Sequence, residues 1–212
     1  GEAVPVQYEC RLLRKNGEVG WIELSVGLVD WEGEVANLAF ITDITDRKAK
    51  EQEIQYLSYH DQLTGLYNRR YYEAALKKFN DQAYLPCTMI LGDVNGLKMT
   101  NDAFGHLAGD RLLQNIADAM KSVCRRDDVA ARIGGDEFVL LLPNTSAQNG
   151  EKVVQRLREE ISRRKSGHVV VSLSLGWATK TDVLEPNNRI YMLAEEMMYS
   201  NKLIDSPAMK QA

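Results

Sequence analysis

The chain has 212 residues, of which 44% are hydrophobic, and its 26 Lys and Arg against 30 Asp and Glu give a net charge of −4. This balance is typical of a globular protein and argues against a disordered chain and against a strongly basic binder of a nucleic-acid polymer. No apolar run approaches the ~20 residues of a membrane helix, so we expect a cytoplasmic fragment whose membrane attachment, if any, lies upstream of Gly1. Three scattered cysteines predict reduced thiols.

Residues 1–46 carry the period-2 pattern of a β-sheet. Apolar side chains alternate with polar or small ones from Trp21 to Leu28, which predicts a strand with one buried face. The pairs Asn16-Gly17 and Glu32-Gly33 mark tight turns on either side. We therefore predict three antiparallel strands, too few to cover their own apolar face.

Residues 47–60 are highly charged and lack Gly and Pro, which predicts a helix capped by Asp43 or Thr45. Ile44, Ile54, Leu57 and Leu63 lie on a loose heptad-like seam. Two interpretations stay open, a solvated connector helix and a short two-stranded coiled coil that passes a signal between domains.

From Asp61 onward, predicted helices and strands alternate. The predicted helices are Tyr71–Phe79, Gly109–Cys124, Glu151–Arg164 and Asn188–Lys202. The predicted strands are Thr88–Val94, Val129–Ile133, Glu137–Leu142 and Val169–Trp177. This order predicts an α/β (α+β) domain with a mixed central sheet flanked by helices, interrupted by a hairpin at Gly134-Gly135-Asp136.

Two places carry acids at the predicted strand ends. Asp93 ends a buried strand, where open α/β sheets bind ligands, and Gly96 and Lys98 follow in a loop that can hold phosphate. The alternative is that Asp93 only caps the strand. If Asp93 and Asp136 meet, their repulsion calls for a cation, and hard carboxylate oxygens beside phosphate suit Mg²⁺.

The stretch Gly134–Phe138 resembles the signature of the GGDEF family of diguanylate cyclases. Asp61–Arg70 resembles the family's entry motif, Asp93–Asp110 its nucleotide-binding segment and Met198–Lys202 its last helix. This resemblance covers residues 58–205 and implies a fold like that of nucleotidyl cyclases and polymerase palms.

The first residues resemble the C-terminal half of a PAS domain, with Asp43–Arg47 similar to its exit motif. The two resemblances imply a partial PAS sensor over 1–46, a connector helix over 47–60, a GGDEF domain over 61–205 and a tail over 206–212.

The family resemblance implies that two GTP molecules are condensed into cyclic di-GMP and two pyrophosphates by a homodimer. The implied ligands of Mg²⁺ or Mn²⁺ are Asp93, the Val94 carbonyl, Asp136 and Glu137. Asp136 takes the family's proton-acceptor position, and Glu137 lies next to it as a second catalytic acid.

The implied substrate-binding residues are Lys98, Asn101, His106, Asp110 and Lys202. Asn101 and Asp110 would face guanine, whose paired N–H donors suit a carboxylate, and the two lysines would face the β- and γ-phosphates. The alternatives are that Asp110 is an acid at a helix N-terminus and Lys202 a cation at a helix C-terminus.

Arg125-x-x-Asp128 resembles the family's inhibitory product-binding site, with Arg156 as a secondary contact. The alternative is a solvated helix end. Leu97 departs from the family pattern, which has an aromatic residue at that position. Two rival functions remain, a catalytically idle receptor for cyclic di-GMP and a domain that only binds GTP as a switch.

Overall fold

A computed structural model describes residues 7–166 and 169–205. The chain divides into two compact units, one up to Ser58 and one from Tyr59 onward. The first six residues of the predicted PAS fragment and the tail predicted over 206–212 lie outside the described residues. Within the described part of the chain, no helix combines the length and apolar character needed to cross a bilayer.

The first unit contains the predicted antiparallel three-stranded sheet. Its strands are β1 Gln7–Leu13, β2 Val19–Trp31 and β3 Glu34–Asp43, in the order β1-β2-β3. Glu32 and Gly33 have φ values of 56° and 87°, the positive values that a two-residue hairpin turn requires. The separate small sheet predicted for this region is therefore confirmed.

Helix α1, Thr45–Tyr59, follows this sheet directly. The carboxylate of Asp43 accepts a hydrogen bond of 2.9 Å from the backbone N–H of Thr45, which satisfies one of the free donors at the start of the helix. Of the seam residues, Ile54 and Leu57 are exposed whereas Ile44 is buried, and the coiled-coil hypothesis stays a prediction.

The second unit is built on a five-stranded mixed sheet. Its elements in chain order are β4 Tyr67–Asn68, α2 Arg69–Lys78, a short 3₁₀ helix Gln82–Tyr84, β5 Cys87–Val94, α3 Leu97–Phe104, α4 His106–Val123, β6 Val129–Arg132, β7 Glu137–Leu142, α5 Ala147–Arg163, β8 Lys165–Ser166, β9 Val169–Val170, β10 Leu173–Lys180 and α6 Asn187–Asp205. The strand order is β10-β5-β7-β6-β4, with β8 and β9 forming a separate pair. Only β4 and β6 are parallel within the five-stranded sheet, so the predicted mixed sheet is confirmed.

The central strand β7 is buried on both faces of the sheet. Phe138, Leu140 and Leu142 pack in one core with α4 and α5, whereas Val139 and Leu141 pack in a second core with α2 and α6. Burial on both faces explains the unbroken apolar run of this strand.

The predictions failed at two places between the long elements. The segment after Gly96 forms α3 and not a loop, and α4 begins at His106 and not at Gly109, because Gly105 with a φ of 80° separates the two helices. The strand predicted over Val169–Trp177 is divided into β9, which pairs with β8, and β10, which pairs with β5. Residue Leu173 pairs with Val94 at the end of β5, so β10 has no partner in β5 before Leu173.

Lys180 is 1% exposed at the end of β10. Its ammonium group donates to the side-chain oxygens of Asn80 and Asn187, at 2.9 Å each, and Asn187 in turn donates to the carbonyl of Leu76. These bonds tie the C-terminal end of α2 and the N-terminal end of α6 to β10.

Gly176 allows the close approach of α6 to β10. A Cβ atom at this position would overlap the carbonyl oxygen of Ala194 and the backbone nitrogen of Met198. Backbone atoms of a helix cannot turn aside as a side chain can, so the two elements would have to separate.

We predict that Gly176→Ala lowers the free energy of unfolding by about 1–3 kcal/mol through overpacking. Urea unfolding followed by circular dichroism measures the change. Gly27→Ala is the control, because a Cβ there meets nothing within 4 Å. Equal effects of the two substitutions would contradict the predicted close packing of α6.

Candidate functional site

Three predicted acids, from two separate parts of the sequence, lie at one end of the β5–β7 ladder. Asp93 is paired with Glu137 across the strands, and the backbone N–H of Val94 donates to the carbonyl of Asp136 over 3.0 Å. Directly opposed residues of an antiparallel pair project to the same face, so Asp93 and Glu137 share one face of the sheet. Asp136 lies opposite Val94, just beyond the last pair of the ladder.

Lys202 reaches this end of the sheet from α6. Its ammonium group lies 2.6 Å from Asp93 Oδ1, and the side chain of Asp93 is only 14% exposed against 43% for Lys202. An ion pair with one largely buried partner is screened less by water than a fully exposed pair. The contact joins two predicted site residues that are 109 positions apart in the sequence.

The predicted metal ligands offer hard oxygen donors. Across residues 7–166 and 169–205, no group of three or more His, Cys, Asp or Glu side chains is arranged to hold a metal ion. Magnesium in nucleotide sites commonly takes one or two carboxylates and completes its shell with water and phosphate oxygens. The carboxylates of Asp93 and Asp136, with the carbonyl of Val94, fit such a partial set by their chemistry.

A fixed turn connects β5 to α3. Asn95 donates from its backbone and its side chain to Ser172, and accepts a 2.9 Å bond from the hydroxyl of Ser174. Gly96 then adopts a φ of 72°, a left-handed conformation that glycine takes without a steric cost. The turn leaves the first N–H groups of α3, together with the exposed side chain of Lys98, at the end of β5. Such helix starts favour anions.

The predicted base-binding residues lie on α3 and α4. Asn101 Oδ1 is buried and has no hydrogen-bond partner among the described residues. A buried acceptor without a donor is costly, so a ligand donor at this position would relieve that cost. Asp110 is half-buried in the second turn of α4, and His106 is exposed at its start. The alternative of Asp110 as a first-turn acid is therefore wrong, because the helix begins four residues earlier.

A link between Asp61 and Arg132 was missed by the sequence interpretation. The guanidinium of Arg132 lies 3.2 Å and 3.3 Å from the two carboxylate oxygens of Asp61, and donates to the carbonyl of Gly135 over 2.7 Å. Burial raises the pKa of Asp61, but hydrogen bonds from Thr64 and the positive Arg132 outweigh it and hold the pKa below its usual range. The hairpin turn beside Asp136 is thereby fastened to the start of the second unit.

Arg125 and Asp128 precede β6, at the opposite end of the β6–β7 hairpin from Asp136. The carboxylate of Asp128 accepts a 2.7 Å bond from the backbone N–H of Arg125, so it also holds the turn together. Burial raises the pKa of Asp128, and the nearby positive charges of Arg125 and Arg156 oppose that shift. The predicted secondary contact, Arg156, therefore lies within electrostatic range of Asp128.

A cavity of about 370 Å³ adjoins this turn. Its walls include Arg125 and Asp128, together with His60, Tyr67 and Lys121, which sequence reasoning missed. For the three missed residues, the sequence shows only that one is aromatic and two are basic, and that they lie in separate segments. Aromatic and cationic walls suit a ligand that has both a planar base and a phosphate.

Comparison with known proteins identifies a family for most of the chain. Residues 58–206 match the family model described as Diguanylate cyclase, GGDEF domain. The uncharacterized protein YhcK of Bacillus subtilis (strain 168) is 30% identical over 190 residues, which cover 85% of this chain and 53% of the relative. Diguanylate cyclase DgcM of Escherichia coli (strain K12) is 29% identical over 167 residues, with coverage of 77% and 41%. The chain thus spans about half or less of these relatives.

Two solved structures are similar to the chain. Diguanylate cyclase SiaD from Pseudomonas aeruginosa, in complex with its activator SiaC, has 30% identity and a TM-score of 0.65, with coverage of 76% of this chain and 66% of that chain. A microbial GGDEF domain that interacts with cyclic di-GMP has 26% identity and a TM-score of 0.63, with coverage of 72% and 96%.

We predict that Asp61→Asn destabilises the protein in a pH-dependent manner. Because the pKa of Asp61 is lowered in the folded state, its ionised form stabilises the fold fully above the unfolded-state pKa of about 4. This stabilisation is lost as the pH falls through the lower folded-state pKa. Wild type should therefore exceed the variant in free energy of unfolding at about pH 7, and the difference should shrink near pH 3. Urea unfolding at several pH values measures both. A difference that does not vary with pH would contradict the role of the charge.

Proposed function

The chain belongs to the GGDEF domain family of diguanylate cyclases, and we propose that it condenses two GTP molecules into cyclic di-GMP and two pyrophosphates. The observation that carries this proposal is the 2.6 Å ion pair between Asp93 and Lys202, at the end of the sheet where Asp93 pairs with Glu137 and Asp136 follows. Acids and a lysine gathered beside a helix start match the needs of a triphosphate, which must be bound through its charge and held in line for attack.

Asp93, the Val94 carbonyl, Asp136 and Glu137 would hold Mg²⁺ or Mn²⁺, which when bound supplies charge neutralisation at the α-phosphate and the leaving pyrophosphate. The chain's own groups do the rest. Lys98 adds positive charge at the start of α3 and Lys202 adds it from α6, toward the β- and γ-phosphates. Asp136 is proposed to accept the proton of the attacking 3′-hydroxyl, with Glu137 beside it.

Guanine selection is assigned to Asn101 and Asp110, with His106 nearby on the same segment. The carboxylate of Asp110 can accept from the N1–H and the N2 amino group of guanine at once. Adenine lacks this paired donor edge, so a buried acceptor would stay unpaired, which can reject a wrong substrate by roughly 10⁴-fold. The unpartnered Oδ1 of Asn101 supports a ligand donor at this position.

Two chains are needed for ring closure, because each proposed site binds one GTP and each 3′-hydroxyl attacks the other nucleotide. We assign dimerisation and sensing to the PAS fragment over 1–46 and the connector over 47–60. Three apolar residues of the first sheet are exposed, namely Leu28, Val35 and Ile41. Their exposure supports the proposal that another protein surface covers this sheet. A GTP-consuming domain of this kind belongs in the cytoplasm.

Product inhibition is proposed at Arg125 and Asp128, with Arg156 as the secondary contact. The cavity beside this turn supports it, since a guanine base can stack on an arginine and a phosphate can bind its fork of donors. The same cavity favours the second candidate function, an idle domain that binds cyclic di-GMP as a receptor.

We predict that Asp93→Asn and Asp136→Asn each reduce cyclic di-GMP formation by at least about a hundredfold, because several kcal/mol of charge stabilisation is lost. Chromatography of nucleotides after incubation with GTP and Mg²⁺ measures the product. Asp118→Asn is the control, on an exposed position of α4. Product formation at the wild-type rate by either site variant would refute the assignment, and no product from wild type would favour the receptor.

We predict that Arg125→Ala raises the concentration of cyclic di-GMP that half-inhibits the enzyme by about tenfold or more, since a charged hydrogen bond is lost. Arg111→Ala, an exposed arginine of α4, should leave inhibition unchanged. Calorimetry measures the same effect as a loss of affinity for cyclic di-GMP, and it does so even for a protein that has no turnover. Unaltered inhibition and binding would return Arg125 to the role of a solvated helix end.

A further inference from the structure

Helix α4 has a buried glycine in its second turn, Gly109. Glycine inside a helix is destabilising relative to alanine, because the unfolded chain has more freedom to lose. Its φ is not in the left-handed range that favours glycine, unlike that of Gly105 at the helix start. Backbone conformation therefore does not explain this glycine, and packing around it has to.

The space that a side chain at position 109 would fill is taken by Asn101. A Cβ atom there would overlap Asn101 Oδ1 and lie 2.9 Å from Asn101 Cγ and 3.2 Å from Leu97 Cδ1. A separation of 2.9 Å between two carbon atoms is well inside their contact distance. The carboxamide of Asn101 therefore lies where it does only because residue 109 has no side chain.

In the part of the chain that the structure describes, no hydrogen bond holds this carboxamide oxygen in place. Asn101 Oδ1 is buried and lacks a donor among the described residues, so its position is set by the surfaces of α4 and Leu97. A polar atom that is held by shape and left unpaired is preorganised for a donor on a ligand.

We propose that Gly109 is a positioning residue of the nucleotide site, which leaves the room that the Asn101 carboxamide needs to lie where it would contact the guanine base. This role rests on the proposed function, because it assumes that Asn101 contacts the base. It adds a residue that touches no substrate atom but determines where a substrate-binding group can lie.

Gly150 provides a matched control, because it is also a buried glycine within a helix. A Cβ at Gly150 would lie 2.6 Å from Thr88 Cγ2, so alanine is crowded there as well. Among the described residues, the hydroxyl of Thr88 bonds to Thr145 and Thr179, neither of which is a proposed site residue. Gly150→Ala therefore crowds the fold without displacing Asn101.

The test compares Gly109→Ala, Asn101→Ala, the double variant and Gly150→Ala. Calorimetry with a non-hydrolysable GTP analogue and the matching ATP analogue measures affinity, and urea unfolding measures stability. We expect Gly109→Ala and Asn101→Ala to weaken GTP-analogue binding by about tenfold each, with the double variant no weaker than Asn101→Ala. Affinity for the ATP analogue should change less than twofold, whereas a loss of folded protein would lower both.

Stability provides the second measurement. Adding Gly109→Ala should destabilise the wild type but not the Asn101→Ala protein, because removal of the carboxamide makes room for the new methyl group. The inference would be overturned if folded Gly109→Ala bound the GTP analogue as tightly as wild type does. It would also be overturned if Gly150→Ala lost as much preference for the GTP analogue over the ATP analogue as Gly109→Ala. A wild-type protein that binds no GTP analogue would instead overturn the proposed function.

Discussion

The register between β5 and β7 determines what this domain can do. Pairing Asp93 with Glu137 brings two distant motifs to one end of the sheet, and the same ladder buries alternate residues of β7 in two different cores. A slip of β5 by one residue would turn every side chain of that strand to the other face. Asp93 would then move away from α6, and its carboxylate would be buried among apolar residues. The apolar pattern that stabilises the fold therefore also places the acids.

Much of the sheet and its flanking helices could be predicted because the signals are local and periodic. The alternation in β2, the apolar run of β7 and the apolar residues three to four apart in α4 each encode their own element. The expected clustering of Asp93 with Asp136 followed from a strand-end argument combined with a family resemblance. Which carboxylate lies opposite Asp93 could not be derived in this way, because register depends on both strands together.

The missed features depend on contacts between remote segments or on a single backbone angle. Arg132 lies two residues before the Gly134–Phe138 motif, yet its partner Asp61 is 71 residues away, and no local pattern pairs them. The start of α4 was placed three residues late because the positive φ of Gly105, which separates α3 from α4, has no distinct sequence signature. Asn95 is likewise held by two serines from β10 and the residues before it, across the sheet.

Helix α6 has a lysine contact near each end. Lys180 holds Asn187 at its first residue, and its own Lys202 holds Asp93 three residues before its last. Nineteen residues of α-helix form a rod about 28 Å long, which transmits a tilt at one end to the other with little bending. A displacement at the C-terminal end of α2, far from the nucleotide segment, would thus change how far the ammonium group of Lys202 extends over the sheet. The length of α6 therefore couples the position of Asn187 mechanically to the position of Lys202.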